Sequence, residues 1–310
     1  MKDIVTNTIT HGVRREIKIK FIDFYPGFDY KNSQFYKILI KHFFVIVSEE
    51  ADYVFYSVFG EKHWAVPDRC IKIFVTGENV IPDFNACDYA CGFAWMDYGD
   101  RYIRRPCWLG NNSALLKKME HKHELDKDWK ISTHKKAFCS FVVSNPNGKE
   151  RNYAYQELSQ YKRVNSAGHY MNNIGHPVQD KMSFESEHKF SLCFENEQFD
   201  GYTTEKIVEA FAAQTIPIYW GDPSIARTFN PDAFINIRDI NSFDQAMEKI
   251  KSLDKNDDEY IRMLRAPALL PSGSTLDNEL NHIENWLIHI FTPPSNKHTG
   301  EAVQTEIPTI

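Results

Sequence analysis

Two cations stand where helices should begin. Lys206, in GYTTEK, opens a segment in which Ile207, Ala210 and Phe211 recur at helical spacing, so a helix is expected from Thr204 to Ala213. Arg151 stands in the same relation to a helix expected from near Glu150, after the turn residues Asn145, Pro146 and Gly148. A positive charge in a first helical turn works against the macrodipole by a few tenths to about 1 kcal/mol, so each position asks for an anion to offset it. The free amide groups of a helix start favour the same kind of ligand. Two such corners brought together would suit a diphosphate.

Strands must place those corners. The runs Phe190 to Phe194 and Ile216 to Trp220 are short and apolar, as expected for strands buried on both faces of a parallel sheet, and the Lys206 helix is their crossover, with Thr203 or Thr204 able to cap it. Phe138 to Val143 precedes the Arg151 corner in the same way. If these strands are neighbours, both helix starts open into the crevice beyond the strand ends, where open α/β sheets bind ligands. Upstream, Glu16 to Tyr25, Asp52 to Phe59 and Cys70 to Thr76 read as strands, with a helix around Gln34 to His42, which is α/β patterning again. Ser242 to Ala266 and Leu276 to Phe291 read as helices. The charged stretch from Lys117 to Lys136 marks a boundary, giving an α/β unit over 1–130, a second over 131–295 and a tail over 296–310.

Composition narrows the function. A net charge of −6 without a basic block argues against a nucleic-acid partner. No segment approaches the roughly 18 apolar residues of a membrane span, and the first residues lack the apolar core of a signal peptide, so a cytoplasmic protein is expected, at most peripheral at the inner membrane. The six cysteines are scattered and read as free thiols; Cys87 and Cys91 have CxxxC spacing but no second pair to complete a metal site. His121, His123 and His134 read as part of a solvated linker, and the one Asp-x-Asp, Asp126 to Asp128, falls in that linker too. There is no Gly-rich dinucleotide or P-loop element. Glu78 ends the strongly apolar run IKIFVT after Gly77: it is either a surface glutamate at a loop or a carboxylate projecting from the sheet into a cleft.

FVVSNPN with Arg151, SLCFEN, GYTTEK and IPIYWGDPS together resemble the donor half of the bacterial α1,3-fucosyltransferases of glycosyltransferase family 10. IFVTGEN and CDYACGFAWMDYGDRYIRRP are similar to the acceptor half, so the resemblance runs in the family's order from about Ile71 to Asp239. It implies the GT-B fold, two Rossmann-like α/β domains facing across a cleft. The implied reaction transfers L-fucose from GDP-β-L-fucose to O3 of GlcNAc in N-acetyllactosamine, or of glucose in lactose. The anomeric centre inverts, giving an α1,3-fucoside of the Lewis x type, as in protein glycosylation or lipopolysaccharide synthesis.

The same resemblance implies Glu78 as general base, with Arg151 and Lys206 on the diphosphate, Glu205 on the ribose hydroxyls, and Asn196 and Tyr202 near the ribose and phosphates. It implies no essential metal and no cofactor. Glu195 is left open between donor contact and support, Asp222 and Pro223 read as a turn, and Arg101 as an ion pair or a substrate contact. Neither the heptad repeats nor the basic tail of some relatives follows Leu276, so a monomer or weak homodimer is expected. The readings that compete with this one are a nucleotide- or glycan-binding module without turnover and a transferase for another nucleotide sugar.

Overall fold

The computed structural model describes residues 14–110, 113–124, 137–238, 243–270 and 276–292. The apolar runs form two wholly parallel sheets. The first contains β1 (Glu16–Ile22), β2 (Phe44–Val47), β3 (Tyr53–Tyr56), β4 (Ile71–Val75), β5 (Tyr89–Gly92) and β6 (Tyr102–Arg104), in the order β2-β1-β3-β4-β5-β6. The second contains β7 (Ala137–Phe141), β8 (Val164–Ser166), β9 (His188–Phe194), β10 (Ile216–Trp220) and β11 (Ile235–Asn236), in the order β11-β10-β9-β7-β8. All five residues of β10 are buried, as a central parallel strand covered on both faces requires.

Crossover helices make these connections. Among them are α1 (Gln34–His42), α3 (Lys149–Tyr161), α4 (Lys181–Ser186) and α5 (Glu205–Ala212), which buries Ile207, Val208, Ala210 and Phe211. Because β7 pairs directly with β9, the helices that follow them, α3 and α5, start side by side.

Three features depart from the sequence reading. The edge strand β2, which follows α1 almost without a turn, is not among the strands expected from sequence. The helix expected over 242–266 is two, α6 (Phe243–Lys255) and α7 (Asp257–Arg265), because Asn256 accepts hydrogen bonds from the amides of Asp258 and Glu259 and caps a new start.

The two units also exchange helices. Short α2 (Ser113–Glu120) packs on α5 of the second unit, and just beyond it Lys122 donates to the Leu264 carbonyl at 2.7 Å. The last helix, α8 (Leu276–Phe291), returns to the first sheet. There Phe291 lies 4.2 Å from Tyr53, ring to ring, and Arg15 caps the Phe291 carbonyl at 2.6 Å. The segment assigned by sequence to the second unit as far as 295 thus ends on the first. The expected boundary at 130, the Asp126–Asp128 pair and His134 lie outside the described residues.

Candidate active site

Parallel strands send all their carboxyl ends one way, and the loops that leave the two sheets meet. Asn79, after β4, donates to Glu197, after β9, at 2.7 Å. The amide of Trp108 donates to the Thr203 carbonyl at 3.0 Å, and the Trp95 indole to Ser224 at 2.8 Å. Gly201 has φ +84°, and a Cβ there would fall 2.7 Å from the carbonyl oxygen of Phe93, so this close approach of the two units requires glycine.

At the start of α3, Arg151 is 2% exposed. Its guanidinium donates to the Asn145 carbonyl at 2.7 Å and to the Asn196 side chain at 3.3 Å, while its Nε is buried with no partner. It forms no ion pair among the described residues. Burial pushes its pKa down from the ordinary arginine value, with Tyr170 and Glu195 opposing the shift. The cap residue Gly148 makes room: a Cβ there would lie 2.8 Å from Nη2.

The start of α5 is arranged differently. Lys206 donates to the carboxylate of Glu195 at 2.8 Å and to the Thr204 hydroxyl at 2.8 Å. Glu195, 1% exposed, also accepts from the Thr204 amide at 2.7 Å and from its hydroxyl at 2.6 Å. The anion that Lys206 asks for is therefore supplied from inside the fold, which answers the sequence argument for an external one and makes Glu195 a support. Thr204 sits at the N-cap, but its hydroxyl serves Glu195 and makes no side-chain cap. Glu205 points out of the same turn. Burial raises its carboxyl, but Lys206, its own amide, Lys181 and Thr204 together outweigh this and hold it below the ordinary glutamate value.

Asp222 ties this loop to the end of β10. Buried to 4%, it accepts from the Gly201 amide at 2.8 Å, the Thr203 hydroxyl at 2.8 Å, and the amide and hydroxyl of Ser224. Tyr202, between these anchors, packs edge-on against Phe93 at 5.2 Å. Burial pushes its hydroxyl well up, and the charges of Glu195, Cys107, Glu78 and Glu205 add to the shift. Three carboxylates thus lie within electrostatic reach of one phenol.

Glu78 is exposed on the loop after β4. Its amide donates to the Thr76 hydroxyl at 2.9 Å and its carbonyl accepts from Val80 at 2.8 Å. These bonds set the turn. Gly77, expected to permit it, has no left-handed φ, and nothing lies within 4 Å of where its Cβ would be. Among the described residues the Glu78 carboxylate makes no hydrogen bond or ion pair.

The geometry thus contains an unbalanced buried cation, a balanced one beside it and an exposed carboxylate across the cleft. Comparison with known proteins shows the family. Residues 19–110 match the profile of the α-(1,3)-fucosyltransferase FucT N-terminal domain, and residues 131–266 that of the glycosyltransferase family 10 (fucosyltransferase) C-terminal region. The chain belongs to glycosyltransferase family 10. It is 37% identical over 290 residues to the α-(1,3)-fucosyltransferase FucT of Helicobacter pylori, an alignment that takes in 83% of this chain and 60% of that protein's length. A crystal structure of an α1,3-fucosyltransferase superposes with a TM-score of 0.77 at 31% identity, covering 94% of this chain and 92% of the other. One determined with GDP-fucose superposes at 0.71 and 29% identity, with 93% of each chain covered. The two parallel α/β units are of the GT-B type.

Within this family 10 chain, Arg151, Asn196, Tyr202, Glu205 and Lys206 come together around the starts of α3 and α5, and Glu78 faces them from the other unit. Arg101 makes no ion pair among the described residues. It lies 5.1 Å from the Phe84 ring centroid and donates to the carbonyls of Asp88, Cys87 and Phe84, closing the loop before β5. All six cysteines are free, and no cluster of three or more metal-ligating side chains occurs among the described residues. Sequence reasoning missed Glu195 as the partner of Lys206, and Trp95 with Arg104 and Arg227. Glu195 had a signal, since a carboxylate ending an apolar strand next to a lysine-bearing helix is placed to reach it. The Trp95 group draws on three distant segments and had none.

Proposed function

We propose that the chain is an inverting α1,3-fucosyltransferase, moving L-fucose from GDP-β-L-fucose to O3 of GlcNAc in N-acetyllactosamine-type glycans or of glucose in lactose. The observation that carries this reading is Arg151: a buried guanidinium with a free Nε and no carboxylate partner, at a helix start beside a second one. Such a corner suits an anionic ligand. Likeness to a structure determined with GDP-fucose supports the choice of donor.

In the proposed step the acceptor hydroxyl oxygen bonds to C1 of fucose as the bond from C1 to the β-phosphate oxygen breaks. GDP departs with that electron pair, and Glu78 takes the hydroxyl proton. GDP is a weak base, so positive charge stabilises its departure without the protonating acid that glycosidases need. Arg151 supplies most of that charge. Lys206, 20% exposed, keeps one N–H beyond those given to Glu195 and Thr204. Asn196 holds the guanidinium plane, and Glu205 accepts from the ribose hydroxyls with Tyr202 packed beneath. No metal is assigned a step. No helix among the described residues is long and apolar enough to cross a membrane, and we assign a cytoplasmic monomer or weak dimer, at most peripheral at the membrane.

The test is GDP release from GDP-fucose in EDTA, with and without N-acetyllactosamine or lactose, with the product linkage read by NMR. Acceptor-dependent release with an α1,3 product is expected. For Glu78→Gln, transfer should fall by at least about 10²-fold while GDP still binds; an unchanged rate would remove Glu78 from the mechanism.

A further inference from the structure

Beyond the donor loop the two units enclose a cavity of about 240 Å3, below the roughly 300–1,000 Å3 of clefts that take drug-sized ligands, and so suited to one small group. At its edge the Trp95 ring has the Arg104 Cζ 3.5 Å from its centroid and the Arg227 Cζ 3.7 Å away. At such distances each guanidinium must lie over a ring face, and one face cannot hold both, so the indole is sandwiched between two cations. Stacking on an aromatic face satisfies the flat side of a guanidinium and leaves its five in-plane N–H donors to find acceptors.

Among the described residues neither guanidinium makes a side-chain hydrogen bond or an ion pair: Arg104 Nε is buried without a partner, while the Arg227 side chain is exposed to water. Glu279, which itself lines the cavity, and Asp222 both act electrostatically on Arg104, and neither forms an ion pair with it among the described residues. His282, exposed at the cavity lining, opens it to water. Trp95 and Arg104 come from the first unit and Arg227 from the second, so the stack joins the two units and concentrates positive charge at the edge of the cavity. Through the Trp95 indole, Ser224 and Asp222, the cavity connects to the Gly201 amide of the donor loop.

We propose that this cavity is a second anion site, distinct from the Arg151 corner, that takes a single oxyanion group: phosphate, sulfate or carboxylate. The oxyanion is either a free inorganic ion or an acidic substituent on the acceptor glycan. The second source rests on the fucosyl-transfer reading, and the first does not.

Inorganic phosphate is titrated into protein saturated with GDP, followed by calorimetry and by tryptophan fluorescence. One saturable site is expected. Arg104→Gln and Arg227→Gln should each weaken it at least about tenfold, as the loss of one charge-assisted contact does, while Arg227→Lys keeps a measurable part of it and reports that the fold is intact. GDP affinity should stay within about twofold of wild type in all three, since none of these residues lies at the Arg151 corner. In a second arm, the KM for 3′-sulfated and for neutral N-acetyllactosamine is compared. A rise for the sulfated acceptor alone in the two Gln variants identifies the acceptor as the source, and unchanged values with phosphate binding retained identify a free ion. Absence of saturable phosphate binding together with equal KM effects on both acceptors, or phosphate binding that survives both Gln substitutions, overturns the proposal. A failure of GDP to bind would count against the donor reading and leave the phosphate result standing.

Discussion

Arg151 and Lys206 occupy the same station in two neighbouring copies of one motif, the first turn of a helix that follows a parallel strand, yet the fold treats them in opposite ways. Lys206 is paired with a buried carboxylate and a hydroxyl, while Arg151 is given only a carbonyl and an amide oxygen and keeps a buried Nε unpartnered. A cation balanced inside the protein can hold a loop in place without any ligand. A buried cation left unbalanced raises the free energy of the empty site, and an arriving diphosphate relieves that cost on binding. Position against the helix dipole, the feature visible in sequence, is common to both; only the internal partner separates them.

The comparison is broken most directly by removing each charge at nearly constant volume. Arg151→Met should weaken GDP binding by about 10²-fold or more, through the loss of charge-assisted contacts to phosphate, and should leave thermal stability level or raised because an unpaired buried charge has gone. Lys206→Met should do the reverse. It strands Glu195 as a buried carboxylate without its cation, a loss of about 3 kcal/mol, which for a chain of this size is a fall of about 5 °C in Tm. Its effect on GDP affinity, measured at a temperature where the variant is folded, should stay within about tenfold. Equal losses of GDP affinity with unchanged melting in both variants would show that the two corners are alike after all.

How much of this was legible follows from what sequence periodicity encodes. The strands β9 and β10, and the α5 face of Ile207, Ala210 and Phe211, could be read because burial on a regular element repeats at a fixed interval. Helix α8 was placed to the residue, but not its packing on the first sheet, since an amphipathic face does not say what covers it. The short strands β5 and β6 rest on pairing with neighbours far along the chain, and three or four residues carry no period. At the site, the residue types and their helix starts were legible. The pairing of Lys206 with Glu195 was not, because it is a fact about side chains eleven positions apart across a loop.

Gly148 sharpens the comparison with a smaller effect. Its missing side chain leaves the space that Nη2 and Cζ of Arg151 occupy, at 2.8 and 2.9 Å from an added Cβ. Gly148→Ala keeps the charge and displaces it by a few tenths of an ångström or more, so GDP affinity should fall by about tenfold, between wild type and Arg151→Met. An unaffected affinity would mean that the guanidinium has room to move and is not held for its ligand.

The smallest effect belongs to Asn196, whose side-chain oxygen accepts from Arg151 Nη1 at 3.3 Å, a long bond on an exposed residue. Asn196→Ala removes one of the two contacts that fix the guanidinium plane, and at about 0.5–1 kcal/mol for a weak bond near water it should raise the GDP Kd two- to fivefold. The Asn145 carbonyl and the packing of Gly148 remain to hold the head group. Combined with Gly148→Ala, the two losses should exceed their sum, because each restrains the same plane and the second release frees what the first left held. Strict additivity in that double variant would instead make Asn196 a direct contact to the nucleotide, acting on the ligand rather than through Arg151.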